Sequence, residues 1–481
     1  VRPARIAARL LLGGLVIVGA VVAVLPSDPV RAAVDLQALL DRAAPGSTVV
    51  VPPGTHVGNF TVESSITVVG EPGSVLDGRG EGSVLTIAAP DVDVSGIVVR
   101  GSERFPVGAP SGILVKRGGH RTHLHDLEVQ DSYMGITVQR ARDVVIEDVT
   151  IRGSGIISGE LHAVSDATNG SGDAEEPSKL RGDGIWLFDS ERTIVRDSTI
   201  ETVRDGVQLT YGTGCVVEDV RVADSRYGLH DMYAADVTFR DNDLSGNLSG
   251  IVLMYGGPVT VERNTITENG SPSTGFGVLV KDAGGVTLSE NVIADNRVAV
   301  HIDDAGRTGG EPARLERNTV AVNQIGVLLF PSADAHFTDN GFVENTTQVA
   351  LGGTGRTQAV WTVDGVGNYW SDYAGFDAED DGTGDLAYSR SGRTSQLIAE
   401  DPVLLALASG PAFRLLSAVE ERWTPAEPLV LDDAPLTELS SPPLAAERIG
   451  ARAPLWIPGL ALTLGCGWLL VRARRPRRVV A

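Results

Sequence analysis

Two of the chain's three methionines, Met232 and Met254, stand 22 residues apart in the segments HDMY and LMY, each followed at once by a tyrosine, Tyr233 or Tyr255. Thioethers beside the imidazole of His230 suit Cu(I), a soft ion that accepts sulfur and nitrogen ligands. The same Met and Tyr stripe, continued by Lys281 in VLVKD, suits a protein contact equally well, because methionine and aromatic side chains are enriched in interface cores. A stripe covered by a loop of this same chain is the third reading. Asp231 lies between His230 and Met232 in a column that is otherwise aliphatic, and a buried carboxylate is costly unless it is paired. A corner hydrogen bond or His230 is expected to compensate it.

Other residues offer different chemistry. His123 and His125, two apart in GGHRTHLHD with His120 just before, share one face of a strand, and imidazoles so placed bind copper or zinc. Asp377, Glu379, Asp381 and Asp385 alternate around Gly382 as carboxylates do in calcium loops, although Tyr388 stands where a bidentate Glu is expected. Asp183 and Asp205 each precede a glycine that opens a repeat, which would set two carboxylates about 5 Å apart as an acid and nucleophile pair. That pair is the basis of the alternative reading, a polysaccharide-binding or polysaccharide-cleaving protein of the cell surface. No His-Gly or Arg-x-Lys arrangement accompanies it, and Asp before Gly is also a good turn former, so no catalytic residue is assigned and no enzyme is expected.

The elements that hold these residues repeat. Coils open at Gly206, Gly228, Gly250, Gly277, Ala299 and Gly326, with spacings of 22 or 27, and upstream at Gly112, Gly135 and Gly184. A fixed period of this size marks a solenoid. The next column, Ile113, Ile136, Ile185, Val207, Leu229, Ile251, Val278, Val300 and Val327, is aliphatic throughout and points in, and the following column, with His230 and His301, points out. A second strand of period two follows, as in VTVERNTI. Two asparagine columns, Asn242, Asn264, Asn291, Asn318 and Asn340, then Asn247, Asn269, Asn296, Asn323 and Asn345, predict corner residues that tolerate a left-handed backbone and stack their amides. The expected fold is all-β, a right-handed parallel β-helix over residues 33–390.

The ends predict an extracytoplasmic place. Arg2, Arg5 and Arg9 precede an apolar run from Leu10 to Leu25 and small residues up to Ala32, the pattern of a signal peptide over 1–32. Residues 391–454 read as a distal helix-like segment and a Pro-rich tether, 455–471 as a transmembrane helix, and 472–481 as a cytoplasmic Arg-rich tail. With 40 Lys and Arg against 62 Asp and Glu, the chain is unsuited to a nucleic-acid backbone. Only two cysteines, Cys215 and Cys466, occur, and neither spacing nor placement supports a disulfide framework or a thiol metal motif.

On RGDGIWLFDS, RYGLHDMYAADVTFRDN, SGIVLMYGGPVTVERNTITEN, GFGVLVKDAGGVTLSEN, GNYWSDYAGFDAEDDGTGD and the distal SGPAFRLLSAVEERW with LDDAPLTEL, the chain resembles the NosD family from about Gly96 to Leu439. The resemblance implies a β-helix without a catalytic centre. It implies work with an ABC transporter, the ATPase NosF and the membrane protein NosY, in assembling the copper centre of nitrous oxide reductase. The reductase or a copper chaperone would be a further partner. The C-terminal apolar span departs from a soluble periplasmic family and implies anchoring to the membrane.

Overall fold

The computed structural model describes residues 35–104, 107–153, 181–271, 274–305, 310–331, 333–353, 355–390 and 428–443, together with Gly410 and Leu415. The signal-peptide region, the polar outgrowth after Gly153, most of 391–427 and the whole of 455–471 and 472–481 lie outside these residues. Among those described, no helix is long and apolar enough to cross a membrane.

Alternation of apolar and polar residues makes strands, and the 22-residue period stacks them in parallel. One face of the solenoid is a 12-stranded sheet, and a 24-stranded sheet makes up the rest of the wall. The aliphatic column runs in register from Ile113 to Val327, every member fully buried. This is the expected parallel β-helix. Its opening glycines are required by close approach: a Cβ on Gly206 or Gly228 would run into the carbonyl oxygen of Gly228 or Gly250 in the next coil.

The coils opened by Gly112 and Gly135 have the expected two strands, as in Met134–Gln139 and Val145–Arg152, whereas later coils have three, as in Asp205–Thr210, Val216–Glu218 and Arg221–Ala223. The expected second strand is bent at the first asparagine column, so that VTVERNTI becomes Val259–Glu262 and Thr265–Thr267 with Asn264 at the corner. The asparagines stack as expected, with the Nδ2 of Asn264 donating to Oδ1 of Asn291 at 3.0 Å and that of Asn291 to Oδ1 of Asn318 at 2.9 Å. They are not, however, the left-handed residues. Positive φ falls on the residue before each one, Arg263 (54°), Glu290 (55°) and Arg317 (51°) in the first column. The residue before the corner takes the strained turn because its side chain faces water, and the asparagine keeps ordinary geometry so that its amide can reach inward.

Both ends are closed. The helix Leu36–Arg42 lays Leu36 and Leu40 over the first coil. At the far end Phe342, Trp370 and Tyr388 stack with centroids 4.4 and 4.3 Å apart. The strand Val430–Asp432 pairs antiparallel with Tyr388–Arg390. Buried Asp432 accepts from Trp370 Nε1 at 2.9 Å and from the backbone N–H of Asn368 at 2.8 Å. Residues 428–443 are thus part of a fitted cap rather than a tether, because the last coil leaves its inner apolar residues and its final asparagine rung without neighbours.

Candidate functional site

The strand Tyr227–Met232 carries the candidate residues His230 and Met232. Leu229 and Asp231 point to the axis and His230 and Met232 away from it. The second column points out as expected, but pointing away does not mean meeting solvent: Thr137, His230, Val252 and His301 are all buried. Neighbouring side chains cover them. The Tyr227 ring stands edge-on to His230 at 5.2 Å with Arg226 laid across it at 4.4 Å, while Phe276 and Phe330 flank His301 at 4.7 and 5.0 Å.

Two buried ion pairs support this wall. Arg204 grips Asp183 with two hydrogen bonds of 2.8 and 2.7 Å, and Arg226 grips Asp205 in the same way. Both carboxylates have no exposed surface. Burial works against ionised Asp205, but Arg226 and His230 outweigh it and hold its pKa well below the carboxylate range. The Asp183 and Asp205 pair is therefore committed to arginines and does not face a substrate as an acid and nucleophile.

Asp205 also fixes His230, whose Nδ1 lies 2.9 Å from Asp205 Oδ2. The other ring nitrogen, Nε2, is buried without a hydrogen-bond partner. Two residues along the same strand face, Met232 is the register partner of Met254, and Lys281 follows in the same column. Both methionines are half-buried, and Lys281 Nζ bonds Asp303 at 3.0 Å. Beside them Tyr211, Tyr233 and Tyr255 form an exposed ladder with ring centroids 5.3 and 5.1 Å apart, all three in the left-handed region at φ 58–61°. Asp231 is fully buried between Leu209 and Leu253, and neither oxygen has a hydrogen-bond partner of good geometry. Burial pushes its pKa up to about 7, only partly offset by the Ala234 backbone N–H and by His230. The expected compensators of Asp231, a corner hydrogen bond and His230, are thus present only in part and do not outweigh its burial.

His123 and His125 stack with centroids 4.4 Å apart on the outer face of the larger sheet. With Asp93 they are the only set of three such side chains, among the described residues, whose ligating atoms all lie within 4.8 Å of one another. The acidic loop uses its carboxylates on its own backbone: Asp377 accepts from the N–H groups of Asp381 and Gly382 at 3.2 and 2.9 Å, Asp381 from Thr383 at 2.9 Å, and Asp385 from Ala378 at 2.8 Å. Glu379 is on the same loop.

The sequence reading missed the partners. Arg226 and Asp205 are 21 residues apart, one coil less one residue, so the periodic alignment contains that pair. Glu147 lies 22 residues after His125 as its register partner, so the period contains it, but Asp93 lies 30 residues before His123, in an early coil off the period, and no columnar signal joins it to the histidines.

Residues 164–375 match the family described as "NosD: Periplasmic copper-binding protein (NosD)". The chain is 34% identical over 411 residues to the "Probable ABC transporter binding protein NosD" of Stutzerimonas stutzeri, covering 83% of this chain and 88% of that protein. To the protein of the same name from Pseudomonas aeruginosa it is 34% identical over 399 residues, covering 80% and 87%. Among solved structures it is similar to a family 28 exopolygalacturonase of Yersinia enterocolitica, at 13% identity over 69% of this chain and 75% of that one, with a TM-score of 0.46. With two relatives matched along more than three quarters of its length, the chain belongs to the NosD family.

Proposed function

We propose that this protein is an extracytoplasmic accessory component that handles copper for the assembly of nitrous oxide reductase and works with an ABC transporter. Membership of a family described as periplasmic and copper-binding, and relatives named as ABC transporter binding proteins, support the general part of this reading. The observation that carries the site is His230: a carboxylate holds its Nδ1, and its Nε2 is left without a partner on the strand face that also bears Met232, with Met254 beside it. A histidine oriented by a carboxylate is the usual form of a metal-ligating imidazole. One imidazole and two thioethers suit Cu(I) as cargo, held at a half-open surface from which it can be passed on. The exposed Tyr233 and Tyr255, with Lys281, flank the methionines and offer the contact face for the transporter or for the copper donor and acceptor.

The test is Cu(I) competition against a chromophoric Cu(I) chelator under anaerobic reduction. Met232→Leu with Met254→Leu keeps volume and removes both sulfurs, and is expected to weaken Cu(I) binding by about tenfold or more, equivalent to about 1.4 kcal/mol or more. Tyr233→Ala with Tyr255→Ala is expected to leave Cu(I) affinity unchanged and to impair copper loading of the reductase. Wild-type Cu(I) affinity in the methionine double variant would remove the site.

Polysaccharide chemistry has less support, since the two carboxylates that suggested it are buried and neutralised by Arg204 and Arg226.

A further inference from the structure

We infer that Asp93, His123 and His125 form a second metal site, separate from the methionine stripe, that binds a borderline divalent cation, Zn2+ or Cu2+. His123 and His125 alternate on the strand His123–Gln130, and Asp93 lies on the neighbouring strand as the register partner of His123. The two rings are stacked with 24° between their planes. Each has one nitrogen bound to a carboxylate of its own: His123 Nε2 lies 2.7 Å from Glu147 Oε1, and His125 Nδ1 lies 2.8 Å from Asp126 Oδ2. The remaining nitrogens, His123 Nδ1 and His125 Nε2, converge on a single oxygen, Asp93 Oδ2, at 3.1 and 3.5 Å.

That convergence has the dimensions of a metal site. Ligands about 2.0–2.1 Å from a tetrahedral cation lie roughly 3.3 Å from each other, close to both separations here. A cation among the three atoms gives each inner nitrogen a partner of its own, whereas without it two ring nitrogens must share one oxygen. The outer carboxylates are placed as supports for such a site, since a ligating imidazole commonly donates its other N–H to a carboxylate, which fixes the ring and raises its basicity. Glu147 is itself anchored by Arg196.

Donor type selects the metal. Two imidazoles and one carboxylate, with no thioether or thiolate, favour Zn2+ or Cu2+ over Cu(I), and Cu2+ binds the more tightly of the two by the Irving–Williams order. The three side chains are between about a quarter and a third exposed, at 35%, 36% and 26% for Asp93, His123 and His125, so a hydrated ion can reach them and keep a water in a fourth position.

The experiment uses the full chain without a histidine tag, titrated separately with Zn2+ and Cu2+ against a chromophoric divalent-metal chelator. One site per chain is expected from this cluster, lost in His123→Ala with His125→Ala and in Asp93→Asn. Glu147→Gln is expected to weaken it by about tenfold, as loss of a supporting carboxylate does. The Cu2+ form should give an electron paramagnetic resonance spectrum with splitting from two nitrogens, absent in the histidine double variant. Circular dichroism of each variant must match wild type, and Glu147→Gln with its ligands intact serves where a ligand variant does not fold. Equal divalent-metal stoichiometry and affinity in wild type and the folded double variant would overturn the site. The outcome is independent of the methionine stripe: Met232→Leu with Met254→Leu is expected to leave the Zn2+ site intact, and His123→Ala with His125→Ala to leave Cu(I) binding intact.

Discussion

At the scale of single residues, the strand Tyr227–Met232 departs from the rules that the other coils obey. Where eight coils place a leucine, valine or isoleucine, it places Asp231, and the residue on either side of Asp231 is a candidate copper ligand. Local violations of this kind concentrate at functional sites, because stability is given up there for another purpose. Asp231 makes the cost measurable. Its folded pKa of about 7 stands above the ordinary 3.8 of an aspartate, so the fold favours the protonated form. The stability this group contributes is therefore fully present below the unfolded pKa and is lost as pH rises through about 7. That rise in pKa corresponds to roughly 4 kcal/mol in all. Asp231→Leu, which restores the aliphatic column between Leu209 and Leu253, is expected to remove this slope and to raise the urea midpoint at about pH 8. Parallel pH dependences of the urea midpoint in wild type and variant would show that the carboxyl has found a partner.

At the scale of the element, the asparagine ladder sets what one corner is worth. Asn291 Oδ1 accepts from both the backbone N–H and the Nδ2 of Asn264, and its own Nδ2 donates to Val261 O and Asn318 Oδ1. Asn291→Ala leaves the buried backbone N–H of Asn264 without an acceptor and Val261 O without its side-chain donor, at about 1–3 kcal/mol for each unsatisfied group, so a loss of roughly 2–4 kcal/mol in urea unfolding is expected. Asn247 has one acceptor bond from Ser225 N–H and one donor bond to Val222 O, and Asn247→Ala should cost about half as much. Equal losses at the two positions would mean that the rungs do not cooperate. This ladder, the inward column and the strand period were legible in the sequence because a solenoid writes its contacts at a constant spacing. The left-handed corner was misplaced by one residue, since the asparagine pattern records where amides stack and not where the backbone turns. Burial of the outer face was not legible, because Tyr227 and Arg226 cover His230 by side-chain direction, which no period reports. Asp93 stayed hidden for a different reason: its coil precedes the regular array, so nothing in the spacing connects it to His123.

At the scale of the whole molecule, a β-helix is a one-dimensional stack in which each coil touches only its neighbours, so a coil is removable if the phase is kept. Deleting 228–249 joins Tyr227 to Gly250 and substitutes each residue of the lost coil by its counterpart 22 positions on: Val207 meets Ile251, and Val216 meets Thr260 where Thr238 stood. Both caps and the Arg226 pair with Asp205 remain. The deletion removes His230, Met232 and Tyr233 together, leaving Met254 alone in its column. Such a protein is expected to show an unchanged strand spectrum by circular dichroism, a melting temperature lower by a few degrees, and no Cu(I) site, while the divalent-metal site at His123 and His125 persists. Deleting only 228–238 takes away half a turn, so the coils on the two sides of the cut no longer meet strand on strand at the junction, and it is expected to lower the melting temperature far more than the 22-residue deletion does. If both deletions melt alike, the array is not additive by coils. If the 22-residue deletion keeps wild-type Cu(I) affinity, the copper site lies elsewhere on the chain.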